Sequence, residues 1–241
     1  MKKILFITLI FSNIIFSQNI DFEGFMNFSY SNNSGKIYLE VNNLDKEFLY
    51  INSLSRGIGN NDIGLDRGQL GNTRIVFFTK RGNKILMVQP NTRYVSNSDN
   101  YLENKAVEEA FARSVLFSFE IIEEKSNNYI IDLAPLLIND AHGVAQRLKY
   151  SNSGNYSLNK SMSAIELDRT KAFPKNIEFD VILTFTGNPL GNLVRSVTPT
   201  ASNITVNQHH SFVELPDNNY KKRKFDPRSG SNPFIVYDYS T

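Results

Sequence analysis

Apolar and polar residues alternate with a period of two along much of this chain. Ile37, Leu39 and Val41 fall on one face, with Lys36, Tyr38 and Glu40 on the other. Ile177, Phe179, Val181, Leu183 and Phe185 continue the same pattern over nine residues. Such alternation predicts strands with one face buried. Residues 48–51, 75–78, 85–88, 117–122 and 129–133 are short apolar runs bounded by polar or turn residues, and they read as further strands. Arg81-Gly82-Asn83 lies between two of these runs and predicts a hairpin turn.

Helical periodicity is rare. Asn100 can cap a helix, with Glu103 three residues on to complete a capping box. Ala106, Val107, Ala110, Phe111, Ser114 and Val115 then share one face, which predicts a helix over residues 101–116. A second, shorter helix is expected over 140–148, weakened by Gly143. Residues 57–71 form a glycine-rich loop, long enough to be a functional one. Residues 151–160 read as a polar linker. With no internal repeat, the pattern predicts one mainly-β (α+β) domain over residues 18–241. Its expected form is β-sandwich-like sheets with one mid-chain helix.

The first residues change the picture. Lys2 and Lys3 precede an apolar stretch running to Phe16, and the small Ser17 suits a cleavage position. Residues 1–17 therefore read as a signal peptide, too short for a spanning helix of about 20 apolar residues. The expected location is exported: periplasm, cell surface or extracellular space. No membrane span is expected after cleavage. Cysteine is absent, which excludes disulfides, thiolate metal sites and a cysteine nucleophile. The net charge of +2 gives no long-range pull towards nucleic acid. The basic run Lys221, Lys222, Arg223 and Lys224 is opposed by Asp217 and Asp226 and reads as a solvated loop.

Chemistry-bearing residues are few. Asn60, Asn61, Asp62 and Asp66 supply oxygens that suit Ca²⁺, but the EF-hand spacing is missing and these residue types favour turns anyway. Gly57-Ile-Gly59 lacks the third glycine and the following helix of a dinucleotide site. His209 and His210 adjoin on an expected strand, so their rings should diverge. His210 and Glu214 share a face but lie about 13 Å apart at strand spacing. A metal site there would need His142 or another residue brought close by the fold. His142, His209, His210, Asp62 and Asp66 are thus the candidate metal ligands, with packing and turn formation as the competing reading. No catalytic residue and no cofactor-binding motif is identified: the H-x-x-x-H, G-x-S-x-G and phosphate-loop patterns are missing.

Several segments, in order, carry a resemblance. They include residues 35–40, 47–51, 61–71 (NDIGLDRGQLG), 88–90, 140–148 (DAHGVAQRL), 173–176, 183–187, 196–199 and 207–230. Together they resemble the N-terminal, non-catalytic region of secreted bacterial zinc-dependent metalloproteases of the met-zincin type, over nearly the whole chain from Gly24 to Tyr239. In that family a later domain carries the zinc on a His-Glu-x-x-His-type helix. The resemblance implies no cofactor in this chain, zinc only in the peptidase domain, and that domain as partner, normally in cis. A peptide or protein is the implied substrate. The catalytic half is expected to be missing, as in a truncated product, a fragment or an excised domain.

The expected function is a non-catalytic accessory domain that packs on a peptidase domain or shapes substrate access to it. Loops 57–71 and 216–230 are the expected docking surface. An envelope- or glycan-binding module and a truncated remnant are the alternatives.

Overall fold

A computed structural model describes residues 19–217, 219, 226–230 and 235–240. The expected signal segment, 1–17, and the basic run at 221–224 lie outside the described residues. The chain opens with β1 (Asn19–Phe22), β2 (Phe28–Ser31), β3 (Lys36–Val41) and β4 (Phe48–Arg56). The hairpin of β5 (Leu70–Arg81) and β6 (Lys84–Gln89) follows, then β7 (Tyr94–Val95) and helix α1 (Tyr101–Ala110). Next come β8 (Ser114–Lys125), β9 (Asn128–Asp132), α2 (Ala134–Leu137) and α3 (Val144–Tyr150). The long strands β10 (Gly154–Phe173), β11 (Asn176–Pro189) and β12 (Asn203–Glu214) complete the scaffold, with α4 (Leu193–Val197) between the last two. A 3-10 turn at Pro227–Ser229 precedes β13 (Tyr237–Asp238).

The fold is mainly β. Eleven strands form one antiparallel sheet in the order β1-β2-β3-β9-β8-β6-β5-β4-β12-β11-β10. β13 pairs with β7 in parallel, apart from it. The opposed faces expected of sandwich-like sheets arise within this one sheet, which curls back on itself. Phe28 on β2 and Phe179 on β11 sit near opposite ends of the strand order, yet their rings are 4.8 Å apart. The Phe25 N–H donates to the Phe173 carbonyl at 2.8 Å and ties the two ends together. Inside, a line of rings runs Phe28, Phe179, Phe212, Phe48, Phe78, Phe119, with successive centroids 4.8 to 6.2 Å apart. All six are buried. Aromatic pairs at such spacings add about 0.5–1.5 kcal/mol each beyond the area they bury. Leu136, Leu137, Val144 and Leu148 bring α2 and α3 into the same core.

The alternating runs become the strands they predict: each of the five apolar runs lies within β4, β5, β6, β8 or β9, with Leu133 just past the end of β9. Gly82 turns the β5–β6 hairpin at φ +60°. Asn100 caps α1, accepting from the Leu102 N–H at 3.0 Å. That helix ends at Ala110 rather than 116, because Ser114 and Val115 pair with Gln89 and Val88 of β6. Strand pairing in the sheet outweighs the helical spacing of these two residues. The second helix begins at Val144 rather than 140. Asp140 caps it from outside, accepting from the Val144 and Ala145 N–H groups at 2.7 and 3.0 Å. Residues 154–160 are not a linker but the start of β10. As the last strand of the sheet, β10 needs few apolar side chains and so looks polar.

Candidate functional site

β12 carries its two histidines to opposite faces. Ile204, Val206, Gln208, His210 and Phe212 point into the core; Asn207, His209 and Ser211 point out. The register sets His209 opposite Asp180 and Ser211 opposite Glu178 of β11. On that outer face, His209 Nδ1 lies 3.1 Å from Asp180 Oδ2, and its Nε2 lies 2.7 Å from Glu178 Oε2. Asp180 is fully buried. Its other oxygen accepts from Asn207 Nδ2 at 2.8 Å, and Arg169 Nε stands 3.7 Å from Oδ2. Glu178 also accepts from the Ser211 hydroxyl and from Asn176 Nδ2.

The electrostatics follow. The hydrogen bond to Asp180, then that to Glu178, raises the His209 pKa to about 9, so the ring is an imidazolium donating from both nitrogens. Burial works to raise both carboxyls, but the bonds from His209 and its neighbours outweigh it and hold them below the usual range. A ring with both nitrogens committed has no lone pair with which to accept a proton or bind a metal. Ser211 binds Glu178 rather than His209, so these two do not form a Ser-His pair for nucleophilic work.

Two register irregularities shape the outer face. Between β4 and β12, Asn207 pairs with Arg56 and Gln208 with Leu54, which leaves Ser55 as an extra residue. Between β10 and β11, the pairing slips between Glu166 and Lys171. Bulges re-aim side chains, and this one sets Arg169 beside Asp180. The glycine-rich loop between β4 and β5 folds back against β4: the Gly68 N–H donates to the Leu54 carbonyl at 2.7 Å. Ile58, Ile63 and Leu65 of that loop are buried in the core, so it is part of the domain's own packing. Between these elements lies an open cleft of about 360 Å³ lined by Ser53, Ser55, Arg67, Arg169 and His209.

The inner face holds a second polar group. Gln208 accepts the His142 N–H at 2.9 Å and donates to the Asn139 carbonyl at 2.8 Å, which fixes the orientation of its amide. Its nitrogen lies 2.9 Å from His210 Nε2, which also stands 3.2 Å from the Leu137 carbonyl, and His210 Nδ1 lies 2.9 Å from the Tyr50 hydroxyl. Burial pushes the His210 pKa down to about 4, against a smaller opposing effect of the Leu137 carbonyl. Burial likewise lowers that of His142, helped by Arg147. His142 and His210 are thus joined through Gln208, while His209 faces the other way.

Asp62 and Asp66 serve the loop itself. The Asp62 N–H donates to Asn60 Oδ1 at 2.9 Å, and the Asn61 amide is placed to donate to Asp66 Oδ1 at 2.7 Å. Among the described residues, no three His, Cys, Asp or Glu side chains converge to hold a metal. Glu178, Asp180, Arg169 and Arg67 escaped the sequence reading. The signal for two of them was present: Glu178 and Asp180 interrupt the apolar residues of the most regular strand.

No curated protein and no solved structure matches the chain. Residues 68–241, well over half its length, match a family described as a domain of unknown function, DUF5117. The chain therefore belongs to the DUF5117 family.

Proposed function

We propose that this is the non-catalytic, N-terminal accessory domain of an exported zinc-dependent metalloprotease-like protein, packing on a peptidase domain or shaping its substrate access. The motif order from residue 35 to 230 supports this reading, and zinc would belong to the peptidase domain alone. One structural observation carries the packing role. Helix α1 buries none of its residues and holds Tyr101 and Leu102 at 71% and 69% exposure. Beside it, Tyr94 of β7 stacks on Phe111 and on Tyr237 of β13, with centroids 4.1 and 5.2 Å apart, and Ile235, Val236 and Tyr239 are exposed. Contiguous exposed apolar surface of this kind marks an interaction site. The committed state of His209 speaks for a role without hydrolysis.

The test has two arms. The purified chain incubated with zinc should leave casein intact, and chelator-sensitive cleavage would overturn the reading. A peptidase domain of the resembled type, supplied in trans, should bind the chain and lose it on Leu102→Glu. Equal binding by that variant would remove α1 from the interface. The Tyr94, Tyr237 and Tyr239 rings favour a second reading, a glycan-stacking platform. It predicts saccharide binding that Tyr237→Ala abolishes.

A further inference from the structure

We propose that the outer cleft between β4, β10 and the 57–69 loop is an anion site that takes a carboxylate or phosphate group through Arg67, Arg169 and Ser53. The argument starts from charge. Two carboxylates, Glu178 and Asp180, lie behind the cleft, and three cations, His209, Arg169 and Arg67, lie in or over it. Every oxygen of both carboxylates already accepts a hydrogen bond: Asp180 from His209 and Asn207, Glu178 from His209, Ser211 and Asn176. Neither of them pairs with Arg67, which makes no ion pair or side-chain hydrogen bond among the described residues. Arg169 reaches Asp180 only at 3.7 Å and through Nε, so its terminal nitrogens are not engaged by that contact.

The cleft wall contains no acidic side chain. Its surplus positive charge is thus directed at solvent from a concave surface, where fields are focused. Guanidinium groups match the paired oxygens of a carboxylate or phosphate, and charge-assisted bonds of this kind are about twice as strong as neutral ones. The Ser53 hydroxyl makes no hydrogen bond among the described residues and is free to donate. His209 contributes field rather than a bond, because both its N–H groups are used. Each part has a structural reason to be there. The β4–β12 irregularity sets Ser53 opposite His209, the β10–β11 slip delivers Arg169, and the folded-back loop delivers Arg67.

None of these residues belongs to the α1 surface, so this proposal and the docking role fail separately. The test is an NMR titration of the full chain with sodium phosphate and with sodium acetate at constant ionic strength, observing arginine Nε–Hε signals. At least one anion should shift Arg67 and Arg169 saturably, and Arg67→Gln should weaken that binding about tenfold. Arg67 is exposed and unpaired, so this variant keeps the fold. Arg169→Lys, which keeps the charge and loses the fork, should also weaken it. Acetate binding the tighter would identify a carboxylate as the ligand group; phosphate binding the tighter would identify a phosphoryl group. Shifts that never saturate, or that saturate equally in Arg67→Gln, would overturn the site.

Discussion

His209 and His210 adjoin in the chain, yet one is a cation held between two carboxylates and the other is kept neutral in the interior. The alternation of a strand is the whole cause: one residue faces out to Asp180 and Glu178, the next faces in to Tyr50 and Gln208. Opposite environments give opposite pKa displacements, to about 9 and about 4.

This pair shapes stability against pH. The raised His209 value means its contribution is complete below about pH 6.5 and is lost as pH rises through 9. The depressed His210 value means stability falls as pH drops from 6.5 towards 4, since the unfolded chain takes up a proton the interior refuses. Glu178 and Asp180 lose their contribution at lower pH, as it falls through their depressed folded values. Thermal stability should therefore peak near pH 6.5, with each of the two histidines contributing about 3 kcal/mol at most to its limb. Melting curves from pH 4 to 10 check this. His209→Gln should flatten the alkaline limb; an unchanged alkaline limb would assign it elsewhere.

Closure of the sheet rests on few contacts, and Phe179 is central to them. Its ring meets Phe28 from the far end of the strand order and Phe212 from its neighbour. Phe179→Ala should cost about 3–5 kcal/mol, as large-to-small changes in packed cores do. Urea unfolding would measure it. A loss below 1 kcal/mol would mean the two ends hold together without this ring.

Asn52 is fully buried on the inner face opposite His210, yet neither of its side-chain polar atoms has a protein hydrogen-bond partner among the described residues. Both ring nitrogens of His142 share that state. Asn52→Leu should leave the melting point unchanged or raise it, because an unpaired buried amide costs about 1–3 kcal/mol. A clear drop would show that the amide is satisfied in solution. At Gly71 an added methyl would come within 2.5 Å of Asn52 Nδ2 and 2.8 Å of His142 Nδ1. Gly71→Ala should therefore destabilise by about 1–3 kcal/mol, the usual range for overpacking.

The strands were legible where one face is buried and the other wet, as in β3 and β11. β10 was not, because a polar strand at the end of a sheet has the composition of a linker. The end of α1 was misplaced for a different reason: Ser114 and Val115 fit a helical face, and only their pairing with β6 decides against it. The His209 site was half legible. Divergence of the two rings follows from alternation alone, but the identity of the carboxylates depends on the β11–β12 register. That register is fixed by contacts far apart in sequence. Arg67 and Arg169 were hidden because irregular pairing and a folded-back loop deliver them.

The two carboxylates that hold His209 are not equivalent. Asp180 is wholly buried, while Glu178 retains some exposure. The Asp180 bond is also the larger cause of the raised His209 pKa. Asp180→Asn should therefore lower that pKa further than Glu178→Gln, as followed by the ring C–H signals in an NMR titration. It should also cost more stability. Asp180→Asn leaves Arg169 and the ring without their buried counter-charge, and breaking a buried pair from one side costs about 3–5 kcal/mol. Glu178→Gln keeps Asp180 in place and should cost about 1 kcal/mol, nearer the exposed-pair range. If the two variants shifted the ring equally, the partly exposed carboxylate would be as strong a partner as the buried one, and burial would not set the order.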